Sequence, residues 1–205
     1  MQRRTVIASL AAGATSGLFT LRARAALPDA ATVPGGVALV ELGADAKRPS
    51  ATFGGRPVMV LPQPQREGGW LAVVGIGLAA DVTQPQTLAV RGADGRARDL
   101  VFSLQAKAYA EQRLTVAPKH VELSPKDLAR HERERVHLAE VLRRFSNRDP
   151  VTLRLVSPAS GPRSSSFGLR RVFNGQARNP HSGMDIAAPT GTPVVSAAAG
   201  EVIDT

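Results

Sequence analysis

Thr87-Leu88-Ala89-Val90, then Asp94-Gly95, then Asp99-Leu100-Val101-Phe102-Ser103-Leu104: two short apolar runs stand on either side of a dipeptide suited to positive φ, which predicts a β-hairpin. Outward from it, Val37 to Leu42, Pro57 to Leu61 and Trp70 to Ile76 repeat the pattern of short apolar runs parted by turn residues. Strand follows strand from Pro34 to about Leu104 with no helical period between them, so the region predicts a small antiparallel sandwich and not a βαβ fold. Gly75-Ile76-Gly77-Leu78-Ala79-Ala80 approximates a dinucleotide-binding glycine loop. The residues Asp81 to Pro85 do not open the helix on which a phosphate would sit, so these glycines read as bulge or edge positions of a sheet.

Composition narrows the function classes. The 205 residues, 43% hydrophobic and 21% charged, have room for one domain or two small ones. Aromatics are 4%, with one Trp and one Tyr, which leaves no platform for stacking bases or sugars. The absence of cysteine excludes disulfides, thiolate metal sites and cysteine nucleophiles. The net charge of +9 invites a nucleic-acid reading, but Arg3, Arg4, Arg22 and Arg24 lie within Met1 to Ala25. That stretch reads as an export signal, with paired arginines, an apolar segment from Val6 to Leu21, and small residues at Ala23 and Ala25. It resembles a twin-arginine leader, apart from Gln2, and is too short and too weakly apolar for a span of about 20 residues. The expectation is an exported protein of the periplasm or cell envelope, not an integral membrane protein. The charge of +5 left without the leader suits an anionic envelope surface as well as it suits nucleic acid.

After the β-rich region the period changes. Ser124 can cap a helix, Pro125 fits its first position, Asp127 lies in the first turn, and Leu128, Val136, Ala139 and Leu142 mark a narrow apolar stripe running to about Phe145. Arg130 with Glu134, and Glu140 with Arg144, neutralise charge along the helix, which predicts a solvated helix packed by its stripe. His131-Glu132 opens a helical zinc-protease signature, yet Arg135 stands where the second histidine belongs. His131 and His137 are about 240° apart around a helix and cannot share a metal. Asn147 to Pro150 breaks the helix, and Val151 to Val156 reads as a strand. The predicted organisation is a leader at 1–25, an amino-terminal β-rich domain at 33–118, a helix and linker at 124–149, and a second module at 151–205.

The chemistry lies in that last module. Ser166-Phe167-Gly168-Leu169-Arg170 is followed by His181-Ser182-Gly183-Met184-Asp185, then Ile186 to Pro189 and Gly191 to Val194. Histidine and carboxylate are suitable Zn²⁺ ligands at about 2.0 to 2.2 Å, and are equally a common hydrogen-bonded pair in a loop. In a straight strand residues 181 and 185 lie about 13 Å apart, so they could share a metal only if the chain bends at Ser182-Gly183. The residues by themselves leave both readings open.

These stretches resemble the first half of the catalytic domain of lysostaphin-type (LytM-like) zinc metallopeptidases, which cut peptidoglycan peptides. The resemblance rests on the His-x-x-x-Asp of His181 and Asp185 with its Ile-Ala-Ala-Pro-x-Gly-Thr-Pro-Val continuation, and on Ser166 to Arg170, which fits a Ser-x-Phe-Gly-x-Arg segment upstream. It implies a mainly β protein whose last module is the first part of an antiparallel β-sheet peptidase domain, with His181 and Asp185 as two Zn²⁺ ligands. A third ligand and a catalytic histidine would come from a His-x-His motif much further along. No histidine follows Asp185 and Gly200 to Asp204 reads as a strand cut off in progress, so the expectation is an amino-terminal fragment, inactive by itself and without a catalytic residue of its own. Arg170, together with Arg171 and Arg178, is a candidate to contact stem-peptide carboxylates. The region holding Tyr109, Gln112 and the start of the 124–135 helix resembles, more loosely, the β-rich domain that precedes this peptidase domain in some exported bacterial proteins. Peptidoglycan is the expected partner and nucleic acid is not. The rival within the same fold is a non-catalytic LytM-like domain that binds the wall or activates amidases; the rival from charge alone is a nucleic-acid-binding protein.

Overall fold

The computed structural model describes residues 27–117, 124–146, 148–149 and 152–205. The leader at 1–25, His120, and the linker residues Asn147, Pro150 and Val151 lie outside the described residues. Seven strands come first: β1 (Val37–Ala44), β2 (Ser50–Phe53), β3 (Arg56–Pro57), β4 (Met59–Pro62), β5 (Gly69–Gly75), β6 (Gln86–Arg91) and β7 (Ala97–Phe102). They form one sheet in the order β1-β5-β4 and another in the order β3-β2-β6-β7, every pairing antiparallel.

On β6, Leu88 and Val90 point inward while Thr87, Ala89 and Arg91 face solvent, the period-two alternation of a half-buried strand. Leu88 meets Ala72 and Val74 of β5, all three fully buried, in a cluster that also takes Ala38 and Leu42 of β1, Ala51 of β2 and Val60 of β4. A core fed by both sheets is what makes the domain a sandwich. Strand β2 was not foreseen, because Ser50-Ala51-Thr52-Phe53 is too short and polar to show a period, and the expected run from Pro57 to Leu61 is divided between β3 and β4.

The β6–β7 connection is a hairpin, but its last ladder pair is Arg91 with Ala97, leaving Gly92 to Arg96 as the loop. Five residues are too many for the expected tight turn with a positive φ at both members of Asp94-Gly95; only Gly95 adopts one, at 80°. Asp94 instead accepts the Arg96 amide at 2.9 Å. At the other end of the sandwich Gly75 closes β5, the Ile76 amide bonds to Gly36 O at 2.9 Å, and Gly77 to Ala80 form a turn with no helix behind it. The Asp45 carboxylate accepts the Ala93 amide at 3.0 Å while its backbone carbonyl accepts Trp70 Nε1 at 3.1 Å, so one residue ties β1, β5 and the hairpin loop.

The remaining elements are β8 (Glu111–Leu114), α1 (Pro125–Val141), β9 (Arg163–Ser165), β10 (Arg170–Phe173), β11 (Gln176–Ala177) and β12 (Asp185–Ile186). Strand β8, inside the span 33–118 expected for the first domain, pairs instead with β10, from Glu111 with Arg170 to Leu114 with Phe173. This ladder is parallel, against the expected antiparallel sheet; a parallel partner needs a long crossover, and the chain from 115 to 169 supplies it. The pairs β10–β11 and β12–β9 are antiparallel. Described residues of the expected strand at Val151 to Val156 are not a strand; a single bond from the Val156 amide to Ala197 O at 3.0 Å holds the end of it.

Helix α1 begins as its sequence predicts, with Ser124 Oγ accepting the Asp127 amide at 3.2 Å and Pro125 at the first position. It ends at Val141, short of Phe145, and its stripe is not packed: Leu128, Val136 and Leu142 are at least half exposed, and Val141 is its one buried residue. Arg130 and Glu134 pair at 2.6 Å, but Arg144 donates to Ile203 O at 2.9 Å and not to Glu140. Among the described residues no helix is long and apolar enough to cross a membrane.

Two outcomes follow from this packing. Leu88→Ala should lower unfolding stability in urea by about 2 to 5 kcal/mol, whereas Leu128→Ala on the open helix face should change it by no more than about 0.5 kcal/mol. The Ala93 amide, and after it those of Lys47 and Ala46 with the charge of Arg98, hold the Asp45 carboxyl below its ordinary value of 3.8 against a smaller opposing effect of desolvation. A lowered folded value means that this stabilisation is present above pH 3.8 and is lost as pH falls through the folded value. Acid titrations of Asp45→Asn should therefore show a shallower loss of stability below pH 3.8 than the parent chain shows.

Candidate metal centre

Between β9 and β10 the chain reverses through Ser166-Phe167-Gly168-Leu169, closed by a bond from the Leu169 amide to Ser166 O at 3.2 Å. Gly168, third in the turn, has φ 82°, the type II geometry that favours glycine. The backbone of this turn holds His181. The Gly168 amide donates to His181 O at 2.7 Å, and the His181 amide donates back to Leu169 O at 3.0 Å. Ser166 O also lies 3.1 Å from His181 Nδ1, and Ser165 Oγ is 3.1 Å from the same atom. A carbonyl can only accept, so the contact assigns a ring proton to Nδ1 and leaves Nε2 to face Asp185.

Asp185 opens β12, opposite Ser165 of β9. The chain bends at Gly183, and instead of the extended-strand separation Asp185 Oδ1 comes to 3.2 Å from His181 Nε2. The bend does not use a glycine-only conformation: Gly183 is not among the positive-φ glycines, and a Cβ there would meet only His181 Nε2 at an ordinary 3.7 Å. Its two ends are held by the turn on one side and by β9 on the other.

The donor set fits zinc. With Nδ1 committed to Ser166, Nε2 and the carboxylate oxygen face each other, a pair of donors that a cation, proton or metal, can bridge. Two corners of a tetrahedral shell with bonds of about 2.0 Å are about 3.3 Å apart, close to the separation seen here. Anchoring of the ligand's other ring nitrogen on a carbonyl is the usual support of a metal-binding histidine. The His181 ring is 21% exposed and the Asp185 side chain 51%, so the pair is open to solvent. Among the described residues no group of three or more His, Asp or Glu could hold a metal, so these two donors need company.

The three candidate arginines take three different places. Neighbouring residues of a strand face opposite ways, and on β10 it is Arg171 that turns to the site, donating from Nη2 to Ser165 Oγ at 3.0 Å. Arg170 lines a groove on the other side with Pro34, Leu78, Asp81, Lys107 and Tyr109. Arg178 stacks over Phe173 at 5.7 Å. Ser165 is thus the supporting residue that sequence reading did not single out, although it stands as the first serine of a Ser-x-Phe-Gly-x-Arg segment; Arg171, a candidate for carboxylate contact, supports Ser165. Of the other described histidines, His131 is exposed on α1 and His137 lies 3.0 Å from Asp204.

Residues 30–107 match the family model described as the Peptidase family M23 N-terminal domain. A crystal structure from Pseudomonas aeruginosa, named provisionally as a peptidase M23, is 40% identical, with a TM-score of 0.64 over 83% of this chain. The alignment takes in 61% of that protein, so the chain spans less than two thirds of its length. No curated protein matches. The mainly β architecture, with its antiparallel sandwich and single helix, is that of an M23 peptidase-like fold, and both similarities support peptidase family M23.

Proposed function

We propose that this chain belongs to an exported zinc metalloendopeptidase that hydrolyses stem peptides or peptide cross-links of bacterial peptidoglycan. The observation that carries the reading is the approach of His181 Nε2 to Asp185 Oδ1, at 3.2 Å, with Nδ1 already satisfied. These two residues would hold zinc, while Ser166 O and Ser165 fix the ring and Arg171 fixes Ser165. Zinc, when bound, supplies a Lewis acid for the scissile carbonyl and lowers the pKa of its water to about 7. A third protein ligand and a positioned base, worth about 10² to 10⁴ in rate, are assigned here to a His-x-His further along a longer protein. The length of the Pseudomonas aeruginosa relative supports that assignment, since much of it lies outside the alignment. Arg170 and Arg171 lie on opposite faces of β10, and of the two we assign contact with a peptide carboxylate arriving at the pair to Arg171.

In the protein extended through such a motif, His181→Ala and Asp185→Ala should each remove most of the bound zinc, by elemental analysis, and abolish cleavage of purified wall on a zymogram. The 205-residue chain should give no chelator-sensitive cleavage. Zinc content and hydrolysis that both survive either substitution would overturn the reading, and zinc retention without any hydrolysis by the parent would favour the amidase-activating alternative.

A further inference from the structure

Tyr109 sits where the first domain meets the turn that holds His181. Its hydroxyl donates to Pro34 O at 2.7 Å. Its ring stands edge-to-face with Phe167, centroids 6.4 Å apart at 73°, and Lys107 Nζ lies 5.0 Å from the ring centroid. The tightest approach is to Gly168. A Cβ on that glycine would fall 2.1 Å from both Cδ1 and Cε1 of Tyr109, so the ring presses directly on the backbone of the turn. Gly35 completes the contact, since a Cβ there would fall 2.7 Å from the Tyr109 hydroxyl and 2.8 Å from Phe167 Cε1.

We propose that Tyr109 is a positioning residue for His181: fastened to Pro34 at one end, its ring backs the Phe167-Gly168 turn and so keeps Nδ1 on Ser166 O and Nε2 toward Asp185. The inference deepens the zinc reading above and rests on it for its function. Four features of the turn act on His181 together: the Gly168 amide, the Leu169 carbonyl, the Ser166 carbonyl and the Ser165 hydroxyl on β9 just before it. Little apolar packing supports the turn from elsewhere, because Phe167 is itself 38% exposed. Without the ring behind Gly168 the turn can rock, the Ser166 carbonyl leaves Nδ1, and the imidazole loses its reason to keep the proton there. Phenylalanine keeps the ring face and gives up only the bond to Pro34.

The test reads the imidazole tautomer of the zinc-free 205-residue chain by ¹⁵N NMR at about pH 8, where an ordinary histidine is neutral. His181→Ala identifies the His181 signals among the four histidines. The parent and Tyr109→Phe should show a single Nδ1–H form for His181, and Tyr109→Ala an average of the two tautomers. In the extended protein, zinc affinity should fall about tenfold for Tyr109→Ala and change by less than about twofold for Tyr109→Phe. A folded Tyr109→Ala chain that keeps the single Nδ1–H form overturns the proposal. If that variant does not fold, Tyr109→Leu, with apolar bulk but no flat face, is read in the same way. The tautomer is measured without zinc, so a protein that bound no metal would count against the peptidase reading and leave this result standing.

Discussion

Two backbone hydrogen bonds, from the Gly168 amide to His181 O and from the His181 amide to Leu169 O, are the constraint on which the site depends. They are reciprocal, so neither end of the contact can slide along the other. They require the turn to keep its shape, and the turn requires a residue at φ 82° with no side chain in the path of Tyr109. From that fixed point the rest follows: Nδ1 faces Ser166 O, Nε2 is turned outward, and the short path through Gly183 delivers Asp185 to β12 beside it.

The two parts of the molecule are held together by different means. The sandwich buries a shared apolar core in which Leu88, Val74 and Val90 are closed off from solvent. The segment after α1 has far less to bury: among its described residues Val172 is the one buried large hydrophobic residue, while Val194, Val195 and Val202 stand more than half exposed. Hydrophobic burial of about 25 cal/mol per Å² therefore acts mainly on the first domain, and the turn and His181 are ordered by hydrogen bonds and by contact with residues 34, 35 and 109.

Much of the fold was legible where apolar residues alternate or cluster. The runs at Val37, Trp70, Thr87 and Asp99 all became strands, because half-buried strands write their burial into the sequence with period two. Strand β8 escaped since Glu111-Gln112-Arg113-Leu114 is exposed along its whole length and is a strand only through its partner. The cap of α1 could be read from three adjacent residues, whereas the fate of its stripe depended on what lies across from it. At the site, the need for a bend between 181 and 185 was a matter of strand rise alone. Which arginine would stand by the histidine was not readable, because the answer is the facing of β10, and that is set by pairing with a distant segment.

That pairing also bears on the order in which the protein assembles. Strands β8 and β10 are about sixty residues apart in sequence, and a contact of such range forms slowly compared with the hairpins and meanders of the sandwich. Turn and histidine meet across only about a dozen residues, but the turn is continuous with β10 and is backed by Tyr109 just ahead of β8. The approach of His181 to Asp185 thus depends on a long-range pairing that follows the local strands of the first domain. A chain whose sandwich has closed but whose β8–β10 ladder has not would still lack the approach of His181 to Asp185, a delay built into its topology.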